Sequence, residues 1–175
     1  MFLNVLKGAY PGLQQVDLAL PIASGETGIE RGSFLTVNSD RKFEKAAAAD
    51  AAANTFLYIA LQDQDDLTAG MAGDVGQGAV SASDGEPVIN ALSIVPSMQI
   101  ETDAFDSGWS PAVGAFAQIG DSGLEAHSTG NAAVAKVDAV AASRWVNNAV
   151  AVTGYRTGNN VSVITVTTLY IPDLV

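Results

Sequence analysis

Apolar and polar residues alternate along much of this chain, and one arrangement of them occurs twice. Residues 32–37 read Gly-Ser-Phe-Leu-Thr-Val and lead through a polar turn to Phe43-Glu44. Residues 114–119 read Gly-Ala-Phe-Ala-Gln-Ile and lead through Gly-Asp-Ser-Gly to Leu124-Glu125. Glycine, alternating apolar positions, a tight polar turn and a return strand are typical of a β-hairpin. The pattern predicts an all-β fold, a single β-barrel or β-tulip-like domain with an internally repeated hairpin.

Further strands are predicted from apolar runs outside the two hairpins. Those runs are 15–22, 55–61, 87–100, 131–140, 149–155 and 161–170. Pro96 interrupts the third run, and proline is confined to bulges and edges of sheets. Gly158 and its two asparagines favour a tight turn at 156–160, between the last two strands.

Four segments have a less regular pattern. Residues 1–14 favour an irregular N-terminal arm, with a first strand packed in the core as the alternative. The alanine-rich segment 45–54 fits a helical turn or an extended connection equally well, since alanine favours helices but a short helix is marginal. Residues 63–87 are rich in glycine and acidic residues and are expected to be mostly loop, and 141–148 a turn or short helix. We therefore divide the chain into an arm and first strand (1–23) and a β-barrel domain (24–175).

Composition narrows the classes of function. The chain has 175 residues, no cysteine and a formal net charge of −11. Such a charge repels phosphate backbones and anionic lipids, so we expect neither nucleic acid nor a membrane as partner. No apolar run approaches the length of a membrane span, and Met1 to Leu6 lacks the features of a secretory signal.

Catalytic chemistry is not expected from the residues present. The only histidine, His127, lies in a polar context that favours an exposed loop. Glu101, Asp103 and Asp106 lie near Trp109 in the sequence, and two carboxylates beside an aromatic ring are typical of glycosidases. With 19 acidic residues, however, such clusters arise by chance. We expect a protein that is not an enzyme, with no catalytic residues.

Metal and cofactor sites are also not expected. Asp63, Asp65 and Asp66 offer oxygen ligands for calcium but lack the spacing of a calcium-binding loop. The glycines of 70–78 have no nearby lysine and do not follow a strand-to-helix switch, so they do not indicate a nucleotide site. Trp109, Tyr155 and Tyr170 are candidate stacking residues if the protein is instead a carbohydrate-binding or adhesin module.

Several segments together resemble the capsid decoration (cement) proteins of tailed bacteriophages. The similarity begins with Gly-Ser-Phe-Leu-Thr-Val and Lys-Phe-Glu-Lys-Ala within 32–46. It continues with Gly-Glu-Pro-Val-Ile from Gly85 and Ile-Glu-Thr-Asp-Ala-Phe-Asp at 100–106. Pro-Ala-Val-Gly-Ala-Phe-Ala from Pro111, Gly-Leu-Glu-Ala from Gly123 and Val-Ala-Lys-Val from Val134 complete it.

This resemblance implies a β-barrel on the outer surface of the virion capsid, with no cofactor. The implied partners are the major capsid protein, whose shell has the HK97 fold, and further copies of the chain in a homotrimer. Five apolar residues of the arm are candidate contacts with the capsid: Phe2, Leu3, Val5, Leu6 and Tyr10. Trp109 and Trp145 are candidate contacts between subunits. A tail or baseplate component is the structural alternative.

Overall fold

A computed structural model describes residues 3–7, 17–53, 55–64, 88–121, 123–150 and 156–169. In these ranges the chain forms eleven strands and one short helix. They are β1 (Leu3–Lys7), β2 (Asp17–Pro21), β3 (Phe34–Val37), β4 (Phe43–Lys45), α1 (Ala48–Ala52), β5 (Tyr58–Ala60), β6 (Val88–Ser93), β7 (Gln99–Thr102), β8 (Phe116–Gly120), β9 (Gly123–Ala126), β10 (Ala135–Val150) and β11 (Arg156–Thr168).

The strands form two antiparallel sheets with related strand orders. One sheet has the order β2-β6-β5-β3-β4, and the other has β1-β7-β11-β10-β8-β9. If β1 is left out, adding five to each strand number of the first order gives the second order, so that β2 corresponds to β7 and β6 to β11. The repeated hairpin is therefore part of a complete duplication. We call β2 to β6 repeat 1 and β7 to β11 repeat 2.

The duplication extends to individual backbone hydrogen bonds. The N–H of Gly32 donates to the carbonyl of Ala60, and the N–H of Gly114 donates to that of Val137, both at 2.8 Å. These two glycines have φ of 96° and 88°, a region that residues with a Cβ rarely adopt. The paired glycines recognised in the sequence thus begin equivalent hairpins in the same conformation.

In each repeat, one isolated β-bridge joins the two outer sides of the repeat. A parallel bridge joins Ile22 to Phe43 in repeat 1, and another joins Phe105 to Leu124 in repeat 2. Among the described strands, no continuous ladder closes either sheet into a barrel. The all-β class and the repeated hairpin are confirmed, in the form of two packed sheets.

Two clusters of buried apolar side chains stabilise the fold. The repeat 1 core lies within the first sheet and includes Leu35, Phe43 and Ile89. A larger shared core joins the two repeats. From repeat 1 it includes Phe34, Leu57 and Ile59, and from the segment that follows β6 it includes Ile94. From repeat 2 it includes Ile100, Ile119, Leu124, Val137, Ile164 and Val166.

A short linker at 94–98 connects the repeats and contains Pro96. The Thr168 hydroxyl lies 2.5 Å from the Val95 carbonyl oxygen, and the Met98 N–H donates to that hydroxyl at 3.0 Å. The N–H of Ser97 donates to the Thr168 carbonyl at 2.8 Å. The linker is thereby attached to the end of β11, which limits movement between the repeats.

Residues 3–7 form a strand rather than an irregular arm, the alternative that the pattern left open. β1 pairs with β7 because the outer edge of that strand otherwise presents unpaired backbone groups. The alanine-rich segment forms α1, in which Ala51 is buried in the shared core. Burial of this side chain stabilises a helix too short to persist alone.

Two expectations near the C-terminus are wrong. Residues 141–148 are strand, not a turn or helix, and 156–160 are strand rather than a hairpin turn. The two segments pair with each other, for example through Trp145 opposite Asn160. This pairing outweighs the local turn preference of Gly158 and its neighbours, and register shifts along the ladder accommodate the irregular residues. Residues 151–155, between the strands, lie outside the described residues.

Candidate functional site

Three of the predicted capsid contacts, Leu3, Val5 and Leu6, lie on β1 at one edge of the larger sheet. The β1 register pairs Leu3, Asn4 and Val5 with successive residues of β7, then skips to Lys7. Leu6 lies at this irregularity and is 48% exposed. A bulge on an edge strand limits further pairing while presenting a side chain. Phe2 and Tyr10 lie outside the described residues.

Trp109 is a packing residue in this structure. Its ring meets Phe105 edge to face, with centroids 6.2 Å apart, and it packs against the shared core. The backbone N–H of Trp109 donates to the Asp106 carbonyl at 3.0 Å. The other predicted subunit contact, Trp145, lies on β10, and both Tyr155 and Tyr170 lie outside the described residues. The arrangement leaves only part of the Trp109 ring available to a partner or a sugar.

Glu101 and Asp106, the candidate catalytic carboxylates, lie in positions where they support the fold. Glu101 is 4% exposed on β7, in register with Thr165 of β11. Asp106 accepts the Gly108 N–H at 2.5 Å and so stabilises the turn before Trp109. A glycosidase needs two carboxylates facing a substrate cleft. Neither of the two cavities described below is lined by Glu101, Asp103 or Asp106.

The remaining polar candidates do not converge on a site. His127 is exposed, and its Nε2 lies 3.0 Å from the Asn131 carbonyl oxygen. The Asp63 carboxylate accepts a hydrogen bond from the backbone N–H of Arg31 at 2.5 Å. Asp65 and Asp66 fall outside the described residues. Within the ranges that the structure describes, no three His, Cys, Asp or Glu residues are grouped to hold a metal.

One cavity lies between the repeats. It has a volume of about 220 Å³, and Phe34 and Lys45 of repeat 1 line it together with Ile119 and Asp121 of repeat 2. Its walls are partly the shared core and partly charged side chains. The cavity therefore lies where the sheet face of repeat 1 that carries Phe34 contacts the side of repeat 2 that carries Ile119.

A second cavity, which we call the open cavity, lies at the end of repeat 1. Its volume is about 270 Å³, and its lining includes Leu18, Val37, Phe56 and Tyr58, with Arg41 as the charged member. Phe56 is 49% exposed. Partial burial raises the pKa of the Tyr58 phenol above its ordinary value of 10.0. Sequence reasoning missed this cavity because Phe56 belongs to an apolar run that predicts a buried strand.

The outward face of repeat 2 carries a large exposed aromatic ring. Phe116 on β8 is 49% exposed, and the Lys136 Nζ lies 6.0 Å from its ring centroid. The neighbouring Gln118 is fixed, because its Nε2 donates to Glu125 at 2.6 Å and its Oε1 accepts the Ser128 N–H at 2.8 Å. We call Phe116, Gln118 and Lys136 the Phe116 face.

The chain matches no protein-family model, and comparison with curated proteins and with solved structures finds no match. Among the described residues, no helix has the length and apolar character to cross a membrane.

Proposed function

We propose that this chain is a non-enzymatic decoration (cement) protein of a tailed-bacteriophage head. In this proposal it binds the outer capsid surface as a homotrimer and stabilises the shell by bridging major capsid protein subunits of the HK97 fold. The segments that resemble decoration proteins support the proposal, and they contribute to β3, β4, β6, β7, β8, β9 and β10.

The observation that carries the proposal is a pair of repeats joined by one shared core, with an exposed apolar residue on the edge strand β1. A protein that bridges subunits must transmit force between separate contacts, so its parts must not move freely. The shared core and the linker bonds to Thr168 supply that rigidity. β1 presents Leu6 at the outer edge of the six-stranded sheet.

The net charge supports an outward position on the particle. A charge of −11 opposes binding to DNA, so the inner face of a packaged head is an unfavourable place for this chain. The same charge keeps decorated particles apart through mutual repulsion. The contact with the shell is then expected to depend mainly on apolar burial.

Leu6→Ser tests the role of β1 on undecorated heads of the phage that encodes the chain. Burying the exposed half of a leucine contributes about 1 kcal/mol, or about a fivefold change in affinity, and avidity multiplies this over several arms. We expect occupancy, measured by co-sedimentation and gel densitometry, to fall at least fivefold at subsaturating protein. Val113→Ser is the control, since Val113 is 70% exposed in the segment before β8 and should not affect binding.

The outcomes separate the function from the surface. If the unchanged chain does not bind heads or raise their resistance to heat, the decoration function is wrong. If the unchanged chain binds and both Leu6→Ser and a chain lacking residues 1–12 bind equally well, the contact lies elsewhere. Gold-labelled protein on complete virions distinguishes a head position from a tail or baseplate position. The carbohydrate-binding alternative is weakened by the packing of Trp109 against Phe105.

A further inference from the structure

The duplication allows the same place to be compared in the two repeats. Leu18 pairs with Ala91 in repeat 1, as Ile100 pairs with Val166 in repeat 2. By the same alignment Val37 corresponds to Ile119, and Tyr58 corresponds to Ala135. The three residues in repeat 2 are each 1% exposed, within the shared core. Their counterparts in repeat 1 are only partly buried and line the open cavity.

In repeat 2, Ile100, Ile119 and Ala135 are covered by repeat 1. The covering side of repeat 1 is the sheet face that carries Phe34 and Ile59. Phe34 is 5% exposed and Ile59 is fully buried, and both belong to the shared core. Phe34 and Ile119 also line the cavity between the repeats. The equivalents of Phe34 and Ile59 are Phe116 and Lys136. Each repeat thus has a covering face, around Phe34 in repeat 1 and around Phe116 in repeat 2, and a site that such a face can cover. Within one chain, only the face of repeat 1 and the site of repeat 2 are in contact.

We propose that copies of this chain associate head to tail, with the Phe116 face of one copy covering the open cavity of the next. The inference deepens the self-association part of the proposed function and does not depend on capsid binding. We assign a second copy as the occupant because the same contact already occurs within the chain. There the Phe34 face of repeat 1, which is equivalent to the Phe116 face, packs on the site of repeat 2 that is equivalent to the open cavity. Neither half of the proposed site is complete in one copy.

The residue differences between the two faces fit a contact that forms after folding. Ile59 of the covering face is replaced by Lys136, an exposed charged residue that keeps the Phe116 face compatible with water in a single copy. Thr36 is replaced by Gln118, which is 4% exposed. The Gln118 side chain is already held by Glu125 and Ser128, which reduces the entropy lost on association. On the cavity side, Phe56 adds apolar area where repeat 2 has Ala133.

The proposed contact joins two different surfaces, so it is not self-complementary. Such contacts produce closed rings when the rotation between copies closes, and open filaments when it does not. In a homotrimer the contact would produce a ring of six repeats in which every repeat covers the next. The contacts within and between chains would then alternate around the ring.

Crosslinking tests which surfaces meet, since the chain has no cysteine of its own. Phe56→Cys and Phe116→Cys are made as separate proteins and treated with a short bis-maleimide, alone and mixed. We expect a crosslinked pair of chains in the mixture and little in either protein alone. Crosslinking of Phe116→Cys with itself would indicate a self-complementary contact and overturn the proposal. Leu169→Cys mixed with Phe116→Cys is the control for random collisions.

Light scattering provides an independent test with no heads present. Phe116→Asp places a charge in the proposed contact, and we expect its dissociation constant for self-association to rise at least tenfold. Phe116→Leu keeps an apolar side chain and should stay close to the unchanged protein. Circular dichroism of both variants verifies that they are folded. An unchanged protein that stays monomeric at about 100 μM, or a Phe116→Asp variant that assembles normally, refutes this interface whatever the outcome on heads.

Discussion

Gly123 allows the two ends of repeat 2 to approach each other. It begins β9 with φ of 111°, and the Ala104 carbonyl occupies the position that a Cβ would take. Directly beside it, the Leu124 N–H donates to that carbonyl at 2.9 Å and the Asp106 N–H donates to the Leu124 carbonyl at 2.8 Å. A side chain at Gly123 would therefore strain the backbone and separate the bridged strands.

Gly123→Ala should destabilise the protein by more than 2 kcal/mol, because a steric overlap adds to the backbone penalty of positive φ. The measurement is the free energy of unfolding from urea titration. Gly130→Ala is the matched control: Gly130 has φ of 102° but no atom within 4 Å of the Cβ position. It should lose only about 1 kcal/mol from the backbone term. Equal losses in the two variants would show that the Ala104 contact is unimportant.

At the scale of elements, the linker and β11 form one joint. The Thr168 hydroxyl contacts the Val95 carbonyl and the Met98 N–H, while its backbone pairs with the same segment. The joint sets the position of β7 relative to β6 and therefore the packing of repeat 2 against repeat 1.

Thr168→Val keeps the shape of the side chain but removes its hydrogen bonds. Since the affected groups are buried, we expect a loss of about 1–3 kcal/mol in the free energy of unfolding. Thr165→Val, on the same strand but partly exposed, should change it by less than about 0.5 kcal/mol. Chemical denaturation of the two variants measures the difference. If Thr168→Val is as stable as Thr165→Val, the hydroxyl does not hold the linker.

The sequence predicts the elements best where local pattern and pairing agree. The hairpins at Phe34 and Phe116 and the strand near Ile59 have alternation and turn residues that match their final positions. It fails at 141–148 and 156–160, because a long partner strand determines their conformation. Pro96 was expected at a bulge or edge, whereas it lies in the linker between repeats. This boundary depends on which strands pair, which a local pattern does not contain.

At the scale of the whole molecule, the shared core should make the two repeats unfold together. Its side chains come from both sheets, so losing one repeat exposes a large apolar surface of the other. Both tryptophans lie in repeat 2, so their fluorescence reports unfolding of that half alone.

Ile89→Val tests this coupling from the far side of the molecule. Ile89 is fully buried in the repeat 1 core, and the change should cost about 0.5–1.5 kcal/mol. We expect the tryptophan and far-UV circular dichroism midpoints to fall together. Its counterpart in repeat 2, Ile164→Val, should behave alike. A normal tryptophan midpoint in Ile89→Val would mean that the repeats unfold independently.

The sequence does not predict how the repeats pack on each other. Phe34 and Phe116 occupy the same position in the same pattern, yet one is buried between the repeats and the other is half exposed. Only the arrangement of the whole chain decides which copy of the face is covered. For this reason the sequence does not indicate the candidate surfaces at Phe56 and Phe116, whereas Leu6 stays a predicted capsid contact because it lies in an apolar segment.

The connection from β5 to β6 and that from β10 to β11 occupy corresponding places in the two repeats. One contains residues 61–87, and the other is formed mainly by the extended parts of β10 and β11. Their sequences have diverged completely while the strand order around them has stayed the same. The fold therefore accepts two unrelated sequences at this position. It is the natural place to graft a foreign peptide for display.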